Sequence, residues 1–208
     1  MATYRLEDIY VGFAVETEFL TEQFRTPLPG KPFDTQCAEP HKMTRQMCAV
    51  RLHDAWARFC RELVIQSASR EPIDISGATI PLAPGIASPV DVIPTLLATF
   101  AKKRFEPRWY DASECIDAAQ RLRLANYRSI STALSITPSP ADDLRTVRNF
   151  VAHRNKQSAL NVRSLKKKLG VSDRASLDDL LTFPSSGAVE LLVVWIYQLR
   201  NIAKIATA

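Results

Sequence analysis

Leu52, Trp56, Phe59 and Leu63 recur at spacings of four, three and four, with Cys60 and Val64 widening the stripe. Side chains at those intervals line one face of a 3.6-residue turn, so a long amphipathic helix is predicted from about Met43 to Ser69. A helix of that length with so wide an apolar face needs other helices to cover it. Further helical segments are read at about 89–103, 112–135, 140–156, 161–169, 176–182 and 187–206. In the last of these, Val189, Leu192, Val193, Ile196, Leu199 and Ala203, with Leu191 and Trp195 beside them, carry the apolar surface well round the cylinder. Such a helix is either deeply buried or at a subunit interface.

Three helix starts share one logic. Ser88-Pro89-Val90-Asp91, Asp111-Ala112-Ser113-Glu114 and Ser139-Pro140-Ala141-Asp142 each place a capping oxygen first and a carboxylate three residues on. Two of them add proline at the first helical position, where its missing N–H costs nothing. The irregular stretch from Glu71 to Ser88 holds Ile73-Asp74-Ile75 and Thr79-Ile80-Pro81-Leu82 around Ser76-Gly77-Ala78, the pattern of a short β-hairpin. Prolines 72, 81 and 84 argue against a large sheet. The fold class read from these patterns is all-α, a helical bundle with a small β-hairpin insertion. At the N-terminus, Ile9, Phe13, Leu20 and Phe24 suit another helix, broken at Pro27-Leu28-Pro29-Gly30-Lys31-Pro32. Residues 1–32 are therefore read as a helical arm and proline-rich linker, docked on the body or on a partner, and 33–208 as the main domain.

At 208 residues, 46% hydrophobic and 24% charged, the composition is that of a folded globular chain. The net charge of +5 matters less than its distribution. From Leu144 through Ser172 there is no Asp or Glu, while Arg145, Arg148, Arg154, Lys156, Arg163, Lys166, Lys167 and Lys168 all fall there. Acid-free basic stretches are a footprint of polyanion binding, because each neutralised phosphate releases counterions. Cys37, Cys48, Cys60 and Cys115 form no Cys-x-x-Cys pair, and His41, His53 and His153 show no ligand spacing with them. Reduced thiols, no metal, no cofactor and a cytoplasmic location are expected. Met1–Tyr10 lacks the apolar run of a signal peptide, and no stretch approaches a membrane span.

Within the basic stretch, Arg148-Asn149-Phe150-Val151-Ala152-His153 gathers the chemistry. A histidine can move a proton near neutral pH, and an arginine can neutralise charge on a phosphorane-like transition state. On a helical wheel Leu144, Val147, Phe150 and Val151 share one face, and Arg145, Asn149, His153 and Lys156 another. Arg148 lies between the two, about 140° from His153. A shared phosphate site is easier to build where two copies of this helix face each other, each contributing its Arg, Asn and His.

Arg148, Asn149 and His153 resemble, in order and spacing, the signature of the HEPN superfamily (higher eukaryotes and prokaryotes nucleotide-binding). Leu52-His53-Asp54-Ala55-Trp56-Ala57-Arg58-Phe59 resembles the tryptophan-bearing helix of its defence and toxin–antitoxin members. The resemblance covers about residues 40–205. It implies a dimeric helical bundle acting as a metal-independent endoribonuclease, a toxin or anti-phage defence effector. In such enzymes the RNA's own 2′-hydroxyl attacks phosphorus, leaving 2′,3′-cyclic phosphate and 5′-hydroxyl ends. It also implies His153 as general acid/base, Arg148 on the scissile phosphate and Asn149 orienting it. Charge and wheel position add Arg145, Arg154 and Lys156 as RNA-backbone contacts. Some HEPN toxins carry Tyr two residues after the His, where a partner nucleotidyltransferase modifies them. Here that residue is Asn155, which leaves an antitoxin or regulatory partner of another kind. Two alternatives remain: a non-catalytic HEPN module that binds nucleotide or nucleic acid beside a partner protein, and a helical DNA binder using Arg163–Leu169.

Overall fold

The computed structural model describes residues 5–26, 39–74, 76–100, 105–137, 139–186 and 188–208. Among them the fold is all-α with one small β-hairpin. The helices are α1 (Leu6–Arg25), α2 (Glu39–Ser69), α3 (Pro89–Ala98), α4 (Ala112–Arg121), α5 (Tyr127–Leu134), α6 (Pro140–His153), α7 (Lys156–Lys168), α8 (Leu177–Leu181) and α9 (Leu191–Ala206). The strands β1 (Pro184–Ser186) and β2 (Val189–Glu190) pair antiparallel between α8 and α9, with Pro184 opposite Glu190 and an irregularity before Ser186. The proline-rich break at 27–32 and Cys37 lie outside the described residues.

The chain divides into two compact units, and the division falls within α1, α2 and α9. The first comprises residues 1–14, 56–139 and 200–208. Its core gathers Leu6, Phe13, Leu63, Leu96 and Ile130 around an aromatic cluster, all buried. Trp56 and Phe59 stack with ring centres 5.4 Å apart, and Phe13 tilts against them at 5.9 and 5.2 Å. The hairpin expected at 73–82 is reduced to one antiparallel bridge, Ile73 to Thr79, and Ile75 lies outside the described residues. Here Asp74 directs the turn, its carboxylate accepting from the backbone N–H of Ser76 and Ala78 at 2.9 Å each. The segment expected as one helix over 112–135 is two, α4 packed on α5. Arg123 takes a left-handed φ of 53° between them, which lets Leu122 and Leu124 both turn inward.

The second unit comprises residues 15–55 and 140–199. Leu20, Leu52, Leu144, Val147, Leu180, Leu192, Ile196 and Leu199 are fully buried in it, and α6 packs on α7. Arg45 on α2 donates to Asp178 on α8 at 2.9 Å, with side chains only 16% and 8% exposed. Arg25 on α1 donates to Glu190 on β2 at 2.8 Å. Leu20 and Phe24 are buried along with Leu6 and Phe13, so α1 packs into its own chain.

Candidate active site

The helix that carries the Arg/Asn/His string begins as its sequence directs. Pro140 occupies the first turn, and Asp142 and Asp143 place negative charge at the positive end of the helix dipole. Pro140, Ala141, Leu144 and Val147 form its buried face. The end differs from the expected 140–156. The helix stops at His153, where Arg154 turns left-handed (φ 42°) and its N–H closes on the Phe150 carbonyl at 2.9 Å. Asn155 then caps α7: its side chain accepts from Ser158 N–H at 2.8 Å while Ser158 Oγ accepts from Asn155 N–H at 3.1 Å. Lys156 therefore opens α7 instead of extending the stripe of Arg145, Asn149 and His153.

The faces of α6 separate the two principal groups. His153 is exposed at the last turn and Asn149, one turn earlier, is half-buried. Arg148 follows the buried face of α6 and is half-buried itself. Its Nε is buried without a hydrogen-bond partner, and among the described residues no carboxylate pairs with its guanidinium. Within one chain, then, Arg148 and His153 lie on different faces of the helix.

A second histidine feels the charge of Arg148. His53 on α2 is 4% exposed, with Nδ1 3.3 Å from Asp54 Oδ1. Burial pushes its pKa below the ordinary value, Asp54 partly opposes that, and the positive charges of Arg148 and Arg145 push it further down. The charges of two α6 arginines and the burial of the ring thus both disfavour a protonated His53. Sequence reading passed over His53 as a site residue, although it shares the buried face of Ala49, Trp56 and Cys60 at helical spacings.

The basic stretch is partly spoken for by acids just outside it. Lys168 reaches Asp143 at 2.8 Å, Arg145 reaches Asp142 at 3.3 Å, and Arg163 comes within 4.0 Å of Asp173. The Lys166 ammonium is buried and donates to the Ala175 carbonyl. Arg154, Lys156 and Lys167 are exposed and form no ion pair among the described residues. Those three, with Arg148, are the cations best placed to meet phosphate.

Cys48, Cys60 and Cys115 are free and buried, and burial raises the Cys48 and Cys60 thiols. They behave as small apolar side chains. Among the described residues no group of three or more His, Cys, Asp or Glu is placed to hold a metal ion, and no helix is long and apolar enough to cross a membrane. Comparison with protein-family models, with curated proteins and with solved structures finds no match to this chain.

Proposed function

We propose that the chain is a metal-independent endoribonuclease of HEPN type, acting as a toxin or anti-phage defence effector. The observation that carries this reading is Arg148: a half-buried guanidinium without a carboxylate partner, five residues before an exposed histidine. A cation held in that state is ready for an external anion. In the proposed reaction the 2′-oxygen of RNA bonds to the adjacent phosphorus as the bond to the 5′-oxygen breaks. His153 handles the proton leaving the 2′-oxygen and the one arriving at the 5′-oxygen. Arg148 carries the charge that develops on the phosphoryl oxygens, and Asn149 orients the group. Arg145, Arg154 and Lys156 bind the flanking backbone.

Because Arg148 and His153 occupy different faces of one α6, the reading calls for a homodimer in which Arg148 of one copy meets His153 of the other. The same separation favours a second reading, a non-catalytic nucleotide- or nucleic-acid-binding module that assembles with a partner protein. Incubating purified protein with cellular RNA in excess EDTA distinguishes them. The nuclease reading expects fragments with cyclic-phosphate ends from the wild type and none from His153→Ala. Intact RNA from both proteins, or cleavage only with added metal, contradicts it.

A further inference from the structure

Resting on the reading of His153 as the group at the scissile linkage, we propose that the groove between α6 and α7 is a base-reading subsite, which takes one unpaired nucleobase of the bound RNA close to the cut. The groove has a volume of about 290 Å³ and is lined by Asp143 and Thr146 of α6 and by Asn161, Ser164, Leu165 and Lys168 of α7. Thr146 and His153 are seven residues apart, close to two helical turns. They therefore share one stripe of α6, about 10 Å apart along its axis. On α7, Asn161, Ser164 and Lys168 follow at spacings of three and four and form the facing stripe. A strand of RNA with its linkage at His153 and its chain running along α6 brings a neighbouring base over this groove.

The lining suits a base better than a phosphate. Its one ammonium, Lys168, is held by its one carboxylate, Asp143, at 2.8 and 3.0 Å, so the groove has no net charge with which to draw an anion. What remains is a set of neutral hydrogen-bonding groups beside an apolar side chain. Leu165, buried among them, gives the ring of a base an apolar surface to lie against. Asn161 Oδ1 accepts from Gln157 Nε2 at 3.0 Å, which orients the amide and leaves its amino group as a donor. Thr146 Oγ1 donates to the Asp142 carbonyl at 3.1 Å and keeps its lone pairs for an incoming N–H. The Ser164 hydroxyl can serve in either role. Donors and acceptors side by side are what recognition of a base edge uses, and in single-stranded RNA those edges are open.

The test measures binding of short 2′-O-methyl oligonucleotides of adenosine, cytidine and uridine to the full-length protein by fluorescence anisotropy. These probes lack the attacking hydroxyl, so binding is read without cleavage. The wild type is expected to bind one of the three at least about fivefold more tightly than the others, the scale of one base edge read by a pair of hydrogen bonds. Asn161→Ala removes the amide and Ser164→Leu fills the groove, both at exposed positions of α7. Each is expected to reduce the preference to less than about twofold. Neither should change the salt dependence of binding, because neither touches a phosphate. Equal binding of the three probes by the wild type overturns the proposal. So does a preference that survives both substitutions, or a loss that falls equally on all three probes.

A second measurement ties the groove to the linkage and separates its fate from that of the nuclease reading. On cellular RNA in excess EDTA, cuts made by the wild type should share a base at one position near the scissile linkage, and cuts made by Asn161→Ala should lose that common base. Cuts with the same common base from both proteins overturn the subsite and leave the nuclease reading standing. Arg148→Ala should weaken all three probes by a similar factor and keep their ranking, since every nucleotide carries the same phosphate. If Arg148→Ala binds as the wild type does and RNA stays intact, the nuclease reading falls, and the subsite near a cut falls with it. If Arg148→Ala weakens every probe while the wild type ranks none above another, only the groove's role falls.

Discussion

Lys168 donates to both carboxylate oxygens of Asp143, at 2.8 and 3.0 Å, tying the last turn of α7 to the first turn of α6. This pair changes the meaning of the basic stretch. Lysines that are consecutive in the chain have separate duties: Lys166 is buried on the Ala175 carbonyl, Lys167 is exposed, and Lys168 holds the α6–α7 hairpin.

The exposed and the internally paired cations should therefore respond differently to salt. Lys156→Ala and Lys167→Ala are each expected to lower the slope of log affinity for RNA against log salt by about one phosphate's worth. Lys168→Ala should leave the slope unchanged and cost less than about 1 kcal/mol of stability, as a half-exposed ion pair does. Anisotropy titrations at several salt concentrations, with urea unfolding alongside, check both. An equal loss of slope for all three lysines would show that the Asp143 pair opens on RNA.

A larger effect is expected at Arg45 and Asp178. Their ion pair is nearly enclosed, and Arg45 also stacks over Phe24, its guanidinium carbon 5.6 Å from the ring centre. Asp178→Ala strands the guanidinium in a dry setting, with an expected loss of about 3 kcal/mol in urea unfolding. Replacing both residues by apolar ones of similar size should restore much of that loss. A single substitution that costs no more than a surface pair contradicts this account of the packing.

Stability should also fall on mild acidification. The pKa of His53 in the fold lies below the ordinary histidine value of 6.5. Between the two values the unfolded chain takes up a proton that the folded chain does not, so unfolding gains as pH drops below about 6.5. The carboxylates held low, among them Asp74, Glu106, Asp179 and Glu190, act only at more acid pH. Tm measured from pH 7.5 to 5.5 should decline in the wild type and decline less in His53→Gln. Parallel profiles would place the sensitivity elsewhere.

The helices were legible where apolar spacing and capping coincided. Leu52, Trp56, Phe59 and Leu63 are all buried on α2, and Asp111 caps α4 by accepting from Ser113 N–H at 3.1 Å. Breaks made without glycine or proline were not. Arg123 and Arg154 both adopt positive φ, a conformation that non-glycine side chains disfavour and sequence patterns do not announce. Asn155 and Ser158 did hold a signal, since each can cap the other, but it was hidden inside a polar run. The strands lay elsewhere than expected because two or three residues carry too little alternation to read. Of the site, the 140° between Arg148 and His153 followed from the chain alone. The burial of His53, and the lowering of its pKa by the charges of Arg148 and Arg145, are tertiary effects that spacing along the chain does not announce.

The central claim, that Arg148 of one copy works with His153 of another, is tested most directly by mixing two inactive proteins. Arg148→Ala and His153→Ala are each expected to cleave RNA in EDTA at least about a hundredfold more slowly than wild type. Refolded together, they should form mixed dimers with one intact site and recover cyclic-phosphate-forming activity toward a quarter of the wild-type rate, about half the dimers being mixed and each holding one of two sites. A mixture as inactive as its components, formed under conditions where subunits demonstrably exchange, contradicts the shared site.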